Sequence, residues 1–235
     1  MRSGLVRIGG LAAASGILLA GCSSSGSVKS GKDAAPAAPA VAGCAAPKTE
    51  KNPNLSWPAE PKMSIDPTKQ YTMTLHTNCG DIVIALDAAK APHTVNSFAF
   101  LAGQKFYDGS FCHRLSTTGM QMLQCGDPNS AATPGDRDGT GTPGYTFADE
   151  NLDGAAYPAG TVAMANSGPN TNGSQFFLVF GDTQLPPAYT PFGKITSGLD
   201  LLTKVGAAGI SDPSPADGTG RPKQPVELEG VTVSG

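Results

Sequence analysis

The chain has 235 residues, enough for one domain and additional segments, and it contains 30 Gly, 20 Pro and a formal net charge of −3. So many residues that interrupt helices exclude a coiled coil or a long helical bundle, and they favour a β protein with many loops. The acidic balance argues against a protein that binds nucleic acid through a basic surface.

The first 21 residues have the pattern of an export signal. Arg2 and Arg7 precede an apolar stretch, 8–20, that is too short to cross a bilayer and suits a signal peptide. The stretch runs into Leu-Ala-Gly-Cys, ending at Cys22, which resembles a bacterial lipobox. This resemblance implies cleavage before Cys22, lipidation of its thiol, and a protein anchored on the extracytoplasmic face of the cell membrane. The alternative is an ordinary secretory signal with an incidental Cys.

Residues 22–68 are rich in Ala, Pro and Ser and contain few large apolar side chains. Such a segment cannot bury enough surface to offset the entropy of ordering, so we predict an extended linker. Trp57, the only Trp, interrupts this linker. It either docks on the following domain or stays exposed.

Residues 69–235 have the pattern of one β-rich domain. Tyr71, Met73 and Leu75 alternate with polar residues, which predicts a strand that pairs with 82–86. Pro92 begins a helix, and a second helix over 199–205 is expected to stop at Gly206. Further strands are predicted over 111–115, 122–124, 161–166, 176–180, 192–195 and 226–233. Many short strands with two helices favour a closed antiparallel barrel.

Motifs for metal or cofactor chemistry are absent from the sequence. The three His residues, at 76, 93 and 113, lack metal-ligand spacing, and no Gly-rich phosphate loop occurs. The Asp residues within 127–153 are interpreted as solvated turn formers. We therefore expect neither a metal nor a cofactor.

Three separated segments carry the specific signal. They are Phe-Cys-His-Arg at 111–114 with Gln-Cys-Gly-Asp-Pro at 124–128, the stretch 164–177, and Phe-Gly-Lys-Ile at 192–195. Together they closely resemble the cyclophilin family of peptidyl-prolyl cis–trans isomerases, in order and spacing, over 71–235. The resemblance implies a mainly β fold, a closed eight-stranded antiparallel barrel capped by two α-helices.

The resemblance also implies the roles of individual residues. Arg114 would donate a hydrogen bond to the prolyl nitrogen of a twisted amide, and Gln124 would hold the carbonyl side of the substrate. Apart from the resemblance, we expect Phe176 to belong to the core and His113 to be a buried strand residue and not a catalyst. The expected substrate-binding residues are Met122, Asn166, Gln175, Phe177, Leu185 and Tyr189.

Several positions depart from the family pattern. Gln121 stands where the family commonly has Phe, Gln184 where it has Trp, and Tyr189 where it has His. These changes predict weak binding of cyclosporin-type inhibitors, because the indole donor at position 184 is missing.

The remaining cysteines permit three disulfide pairings in an oxidising compartment. Cys112 and Cys125 flank the strands of Arg114 and Gln124 and could pair, which would leave Cys44 to join the linker to Cys79. The sequence does not select among the three pairings.

The function expected from these features is acceleration of X–Pro bond rotation in exported proteins, which assists their folding. The partners are proline-containing polypeptides and the membrane, with no nucleic acid, and the protein is expected to be a monomer. One alternative is a non-catalytic cyclophilin-like peptide-binding module at the cell surface. A solute-binding lipoprotein is a third possibility, but 165 residues are too few for its two lobes.

Overall fold

A computed structural model describes residues 41–48, 55–133 and 135–235. The predicted signal peptide (1–21), the lipidation site Cys22 and the first part of the linker lie outside the described residues. Within the described ranges, none of the helices has the length and apolar character needed to cross a membrane.

The described residues form eleven strands and two helices, and most of them match the predicted elements. In chain order they are β1 (Tyr71–Thr77), β2 (Gly80–Leu86), α1 (Pro92–Gly103), β3 (Ser110–Phe111), β4 (Arg114–Ser116), β5 (Met122–Cys125), β6 (Thr161–Met164), β7 (Phe176–Val179), β8 (Pro191–Ser197), α2 (Leu199–Ala208), β9 (Ile210–Ser211), β10 (Arg221–Pro222) and β11 (Glu227–Ser234).

Nine strands form one curled antiparallel sheet in the order β3-β11-β1-β2-β8-β6-β7-β5-β4, while β9 pairs with β10. The two ends of this order, β3 and β4, are separated in the chain only by Cys112 and His113. The amide of Cys112 donates to the Val226 carbonyl at 2.9 Å, and that of His113 to the Gln124 carbonyl at 3.1 Å. Counted as one interrupted strand, β3 and β4 join both edges, and the sheet closes with eight strands.

Alternation along the strands fills the barrel interior. Met73 and Leu75 of β1 are fully buried, while the polar residues between them lie on the other face. Helix α1 covers one end, and its Phe98 ring stacks on Phe192 with centroids 4.6 Å apart. Each large apolar side chain buried in this way contributes about 1.5–3 kcal/mol to the hydrophobic stabilisation.

Two features of the secondary structure differ from the prediction. Helix α2 continues through Gly206 to Ala208, and the chain turns at Gly209 with φ of 87°. A Cβ at position 206 would lie 2.7 Å from the Phe180 ring, so this glycine permits close packing instead of ending the helix. The β9–β10 pair was not predicted, because two residues per strand leave no alternation to read.

The described part of the predicted linker packs against the domain. The Trp57 ring meets Phe100 edge-on with centroids 5.0 Å apart, and the Trp57 amide donates to the Pro143 carbonyl at 2.9 Å. Trp57 therefore docks, the first of the two alternatives. Farther upstream, the Ala45 amide donates to the Asn78 carbonyl at 2.7 Å.

Two disulfides join Cys44 to Cys79 and Cys112 to Cys125. The sequence permits three pairings of these four cysteines, and the structure contains this one. The first bond attaches residues 41–48, here called the strap, to the β1–β2 turn. The second spans the barrel closure between β3 and β5, where both cysteines are buried.

Candidate active site

The candidate site lies on the outer face of the barrel, across four neighbouring strands. Arg114 on β4 is directly opposite Gln124 on β5, which is opposite Phe177 on β7, which is opposite Ala163 on β6. The next residues along the strands, such as Leu115, point inward and are fully buried. Strand pleating therefore places this row of four residues together, facing outward.

Three neighbours hold the Arg114 guanidinium in place. Its Nε–H donates to Thr219 Oγ1 at 3.1 Å, its Nη1–H to Gln124 Oε1 at 3.3 Å, and its Nη2–H to Asp217 Oδ2 at 3.1 Å. The Arg114 side chain keeps 34% of its surface exposed, so the charge remains accessible from solvent. A planar cation with an exposed edge can donate hydrogen bonds to a ligand in a defined direction.

Gln124 and Gln175 continue this polar chain away from Arg114. Gln124 Nε2 donates to Gln175 Oε1 at 2.9 Å, and Gln175 Nε2 donates to the carbonyls of Gly139 and Gly141, each at 2.9 Å. The loop that carries Gly139 thereby fixes Gln175, which in turn orients Gln124. Gln175 thus supports Arg114 through Gln124 and makes no direct bond to the guanidinium.

An apolar patch lies beside the polar chain and is separate from the barrel core. It contains Met122, Tyr157, Ala163, Phe177 and Val179, with Leu185 and Tyr189 among the residues packed around them. The Phe177 and Tyr189 rings meet edge-on with centroids 5.6 Å apart. Tyr157 Oη donates to the Tyr189 carbonyl at 2.8 Å and accepts the Tyr189 amide at 3.0 Å, which fixes the loop that borders the patch.

Asn166 borders both the patch and a polar cavity. Its Nδ2 donates to the Ala188 carbonyl at 2.8 Å. The cavity, of about 330 Å³, is lined by Gln124, Gln175, Asn166 and the loop segments around 139–142 and 171–174. The structure therefore brings Arg114 and Gln124 together with all six predicted substrate-binding residues on one face. Their individual roles stay predictions.

A buried carboxylate lies close to His113, the residue before Arg114, and corrects one expectation from the sequence. Asp127 is fully buried and accepts the amides of Asn129 at 2.8 Å and Gly141 at 3.0 Å, so it is not a solvated turn former. Asp138 pairs with the Arg221 guanidinium. Burial lowers the pKa of His113, and the nearby Asp127 carboxylate partly opposes this shift.

The departures from the family pattern lie at the border of the apolar patch. The backbone amide of Gln121 donates to Thr183 Oγ1 at 3.0 Å, and the Gln121 side chain occupies the space beside Gly181. Gln184 is exposed. In the part of the chain that the structure describes, no cluster of three or more His, Cys, Asp or Glu side chains could hold a metal ion.

The comparisons with known proteins agree with this geometry. The family model described as cyclophilin type peptidyl-prolyl cis-trans isomerase/CLD matches residues 72–233. The chain belongs to this family. A crystal structure of a Cryptosporidium parvum cyclophilin type peptidyl-prolyl cis-trans isomerase superposes with a TM-score of 0.60 at 25% identity, covering 71% of this cyclophilin and 99% of that chain.

Relatives in sequence include two mycobacterial types. The Probable peptidyl-prolyl cis-trans isomerase B of Mycobacterium leprae is 45% identical over 190 residues, which cover 75% of this cyclophilin and 61% of the relative. The Peptidyl-prolyl cis-trans isomerase A of Mycobacterium tuberculosis is 40% identical over 185 residues, covering 72% and 94%. The chain thus spans about three fifths of the length of the B-type relatives that it matches.

Sequence reasoning missed Asp217 and Thr219 as neighbours of Arg114. Asp217 lies 103 positions away in the chain, within a Gly- and Pro-rich stretch that reads as an ordinary loop. No spacing or periodicity links a loop carboxylate to a distant strand residue. The pairing of Leu115 with Gly220 brings this loop beside β4.

Proposed function

We propose that this cyclophilin is a peptidyl-prolyl cis–trans isomerase that accelerates X–Pro bond rotation in exported proteins and thereby assists their folding. The observation that carries the proposal is the position of Arg114, whose partly exposed guanidinium lies in the same outward row as the apolar Phe177. Such a site matches a proline ring together with its preceding amide.

The reaction requires binding and charge placement without any covalent step. Rotation about the X–Pro bond breaks amide resonance, at a cost of roughly 18–20 kcal/mol. In the twisted amide the prolyl nitrogen regains its lone pair and accepts a hydrogen bond. An N–H of Arg114 directed at that nitrogen stabilises the twisted state more than the planar one, which lowers the barrier.

The apolar patch supplies the other half of the interaction. Met122 and Phe177 are almost fully buried side chains on the outer face, and Leu185 and Tyr189 border them. A proline ring placed there would be held while the preceding residue rotates. The polar cavity beside Gln124 and Gln175 would accommodate the chain on the other side.

A non-catalytic peptide-binding module is the second candidate, and the polar Gln121 and Gln184 at the patch border favour it. In that case the groove would bind proline-containing segments without accelerating rotation. The hydrogen-bonded arrangement of Arg114 favours the enzyme, because binding alone does not require a guanidinium fixed by three partners.

The deciding experiment is isomerisation of a short X–Pro peptide by the full chain, with Arg114→Ala as the paired variant and Lys194→Ala as the control. Lys194 is exposed on β8 and takes no part in the site. We expect acceleration that falls by at least about 100-fold in Arg114→Ala and is unchanged in the control. Peptide binding without acceleration would establish the binding module instead.

We also propose that the protein works outside the cytoplasm. A lipid on Cys22 would anchor it to the extracytoplasmic face of the cell membrane. The two disulfides support this location, because such bonds persist in oxidising compartments. Labelling of cells with radioactive palmitate tests it: wild type should incorporate label and Cys22→Ala should not. Equal labelling of both proteins, or labelling of neither, would contradict lipidation of Cys22.

A further inference from the structure

We propose that Asp217 and Thr219 are positioning residues that hold one edge of the Arg114 guanidinium, so that its other edge stays free for substrate. The inference rests on the proposed isomerase function of Arg114. It adds to that function a second element, the loop 212–220 between β9 and β10, which is remote in sequence from the family motifs.

The hydrogen-bond geometry of the guanidinium carries the inference. Arginine has five N–H groups in one plane, and Nε–H lies on the same edge as one N–H of Nη2. Thr219 Oγ1 and Asp217 Oδ2 accept these two, each at 3.1 Å. Gln124 accepts one N–H of Nη1 at 3.3 Å. One N–H on each Nη therefore remains, and the one on Nη2 lies on the outer edge of the group.

Thr219 and Asp217 form one unit. The Thr219 hydroxyl donates to Asp217 Oδ1 at 2.9 Å, and the Thr219 amide donates to the same oxygen at 3.1 Å. Because the hydroxyl donates to Asp217, it is an acceptor toward Arg114, and the second carboxylate oxygen is left for Nη2. The two side chains present a matched pair of acceptors to one edge of the guanidinium.

The loop is attached to the strand that carries Arg114. Gly220 and Leu115 exchange hydrogen bonds of 2.6 and 3.1 Å, so the loop continues from a bridge directly beside β4. Within the loop, the Ser214 amide donates to the Thr219 carbonyl at 2.7 Å. Thr219 is 7% exposed, whereas the Asp217 side chain is 47% exposed. A buried hydroxyl thus fixes an accessible carboxylate.

Asp217 keeps its negative charge over the pH range in which the enzyme would work. Hydrogen bonds from the Thr219 amide and hydroxyl, with a smaller contribution from Arg114, lower the pKa of Asp217 to about 2. The carboxylate is therefore ionised at neutral pH. A charge-assisted bond is also stronger than one between neutral groups.

The experiment uses two matched pairs of variants in the full chain, measured by kcat and KM on an X–Pro peptide. Thr219→Val removes the hydroxyl at nearly constant volume, and Thr219→Ser keeps it. Asp217→Asn removes the charge beside Arg114, while Asp212→Asn removes a charge elsewhere in the same loop. We expect kcat to fall about tenfold in Thr219→Val and Asp217→Asn, with KM nearly unchanged, because orientation is lost and not binding.

Thr219→Ser and Asp212→Asn should stay within about twofold of wild type. The Arg114 Nε–Hε signal in NMR should shift in Thr219→Val and return in Thr219→Ser, which a general loss of folding would not produce. In an Arg114→Ala background, Thr219→Val should cause no further loss of rate. An equal further loss there would show that Thr219 does not act through Arg114, and would overturn the inference.

Failure of this inference is distinguishable from failure of the proposed function. If Arg114→Ala abolishes activity but Thr219→Val and Asp217→Asn do not lower kcat, the positioning role alone is wrong. If Arg114→Ala retains full activity, both the role of Arg114 and the positioning role are wrong.

Discussion

Removal of the Cys44–Cys79 disulfide should destabilise the domain by an amount set mainly by the length of chain that the bond closes. The two cysteines are 35 positions apart in the chain. The chain-entropy relation for a loop of this length gives about 4 kcal/mol at 25 °C, against about 3 kcal/mol for the shorter loop closed by Cys112–Cys125. The variant Cys44→Ala/Cys79→Ala should therefore lose about 4 kcal/mol in free energy of unfolding.

The strap contacts determine where the effect first appears. Ala45 and Asn78 exchange hydrogen bonds of 2.7 and 3.0 Å, and Lys48 Nζ lies 3.1 Å from Glu229 Oε1. The Val41 amide also donates to Gln224 Oε1 at 2.9 Å, and the Lys48 amide donates to Glu227 Oε2. Without the covalent bond, only noncovalent contacts of this kind hold the strap, so its amides should exchange with solvent much faster than those of β1. The isomerase rate should not change, since no strap residue contacts Arg114 in the described structure.

Urea unfolding under oxidising conditions measures the free energy of unfolding. The variant and the wild type are analysed with the same dependence of this free energy on urea concentration. Mild reduction that opens only Cys44–Cys79 in the wild type provides a second route to the same state, and should reproduce the variant. A loss below about 1 kcal/mol would refute the loop-entropy reasoning. Unchanged exchange at Ala45 would refute the assignment of the strap as the weakened segment.

Three further predictions concern separate parts of the domain. Glu150→Gln should lower the free energy of unfolding by about 1 kcal/mol, measured by urea titration, because this carboxylate accepts the Thr94 amide at the start of α1. Glu60→Gln should lower the pKa of His93 in NMR titration, since the Glu60 hydrogen bond raises it from its ordinary 6.5. The Glu60–His93 contact therefore stabilises the folded state below about pH 6.5, and this stabilisation is lost as pH rises through the raised pKa of His93. Cyclosporin should bind weakly because Gln184 lacks an indole N–H; a submicromolar dissociation constant in calorimetry would contradict this.

The elements that sequence predicted well are those with a repeated pattern. Met73 and Leu75 on β1, and Val95, Phe98 and Leu101 on α1, all repeat at the spacing of their element, and all five are fully buried. The same pattern indicates which face of each strand points outward. Once β4, β5 and β7 are neighbours, the outward position of Arg114, Gln124 and Phe177 follows from pleating alone.

The parts that could not be predicted depend on contacts between segments that are distant in the chain. Asp127 lies among loop residues, and the Asn129 amide beside it is a local partner, but the Gly141 amide that also bonds it is 14 residues away. Gly206 carries the ordinary signal of a helix end, yet the Phe180 ring packed against it explains its presence. In each case tertiary packing selects the partner. The residues around Asp127 or Gly206 in the sequence do not indicate which partner that is.

The site lies at the closure of the barrel, and its residues are spread over several short strands. Arg114 and Gln124 face each other across β4 and β5, and β4 is the end strand that continues from β3 at the opposite end of the sheet. On the inner face of the same closure, the Cys112–Cys125 disulfide covalently fixes the two chain segments that these strands belong to. The disulfide and the pairing of Arg114 with Gln124 therefore both lie at the closure of the barrel. A domain that has not closed its barrel would hold every residue of the site and still lack the arrangement that the proposed isomerisation requires.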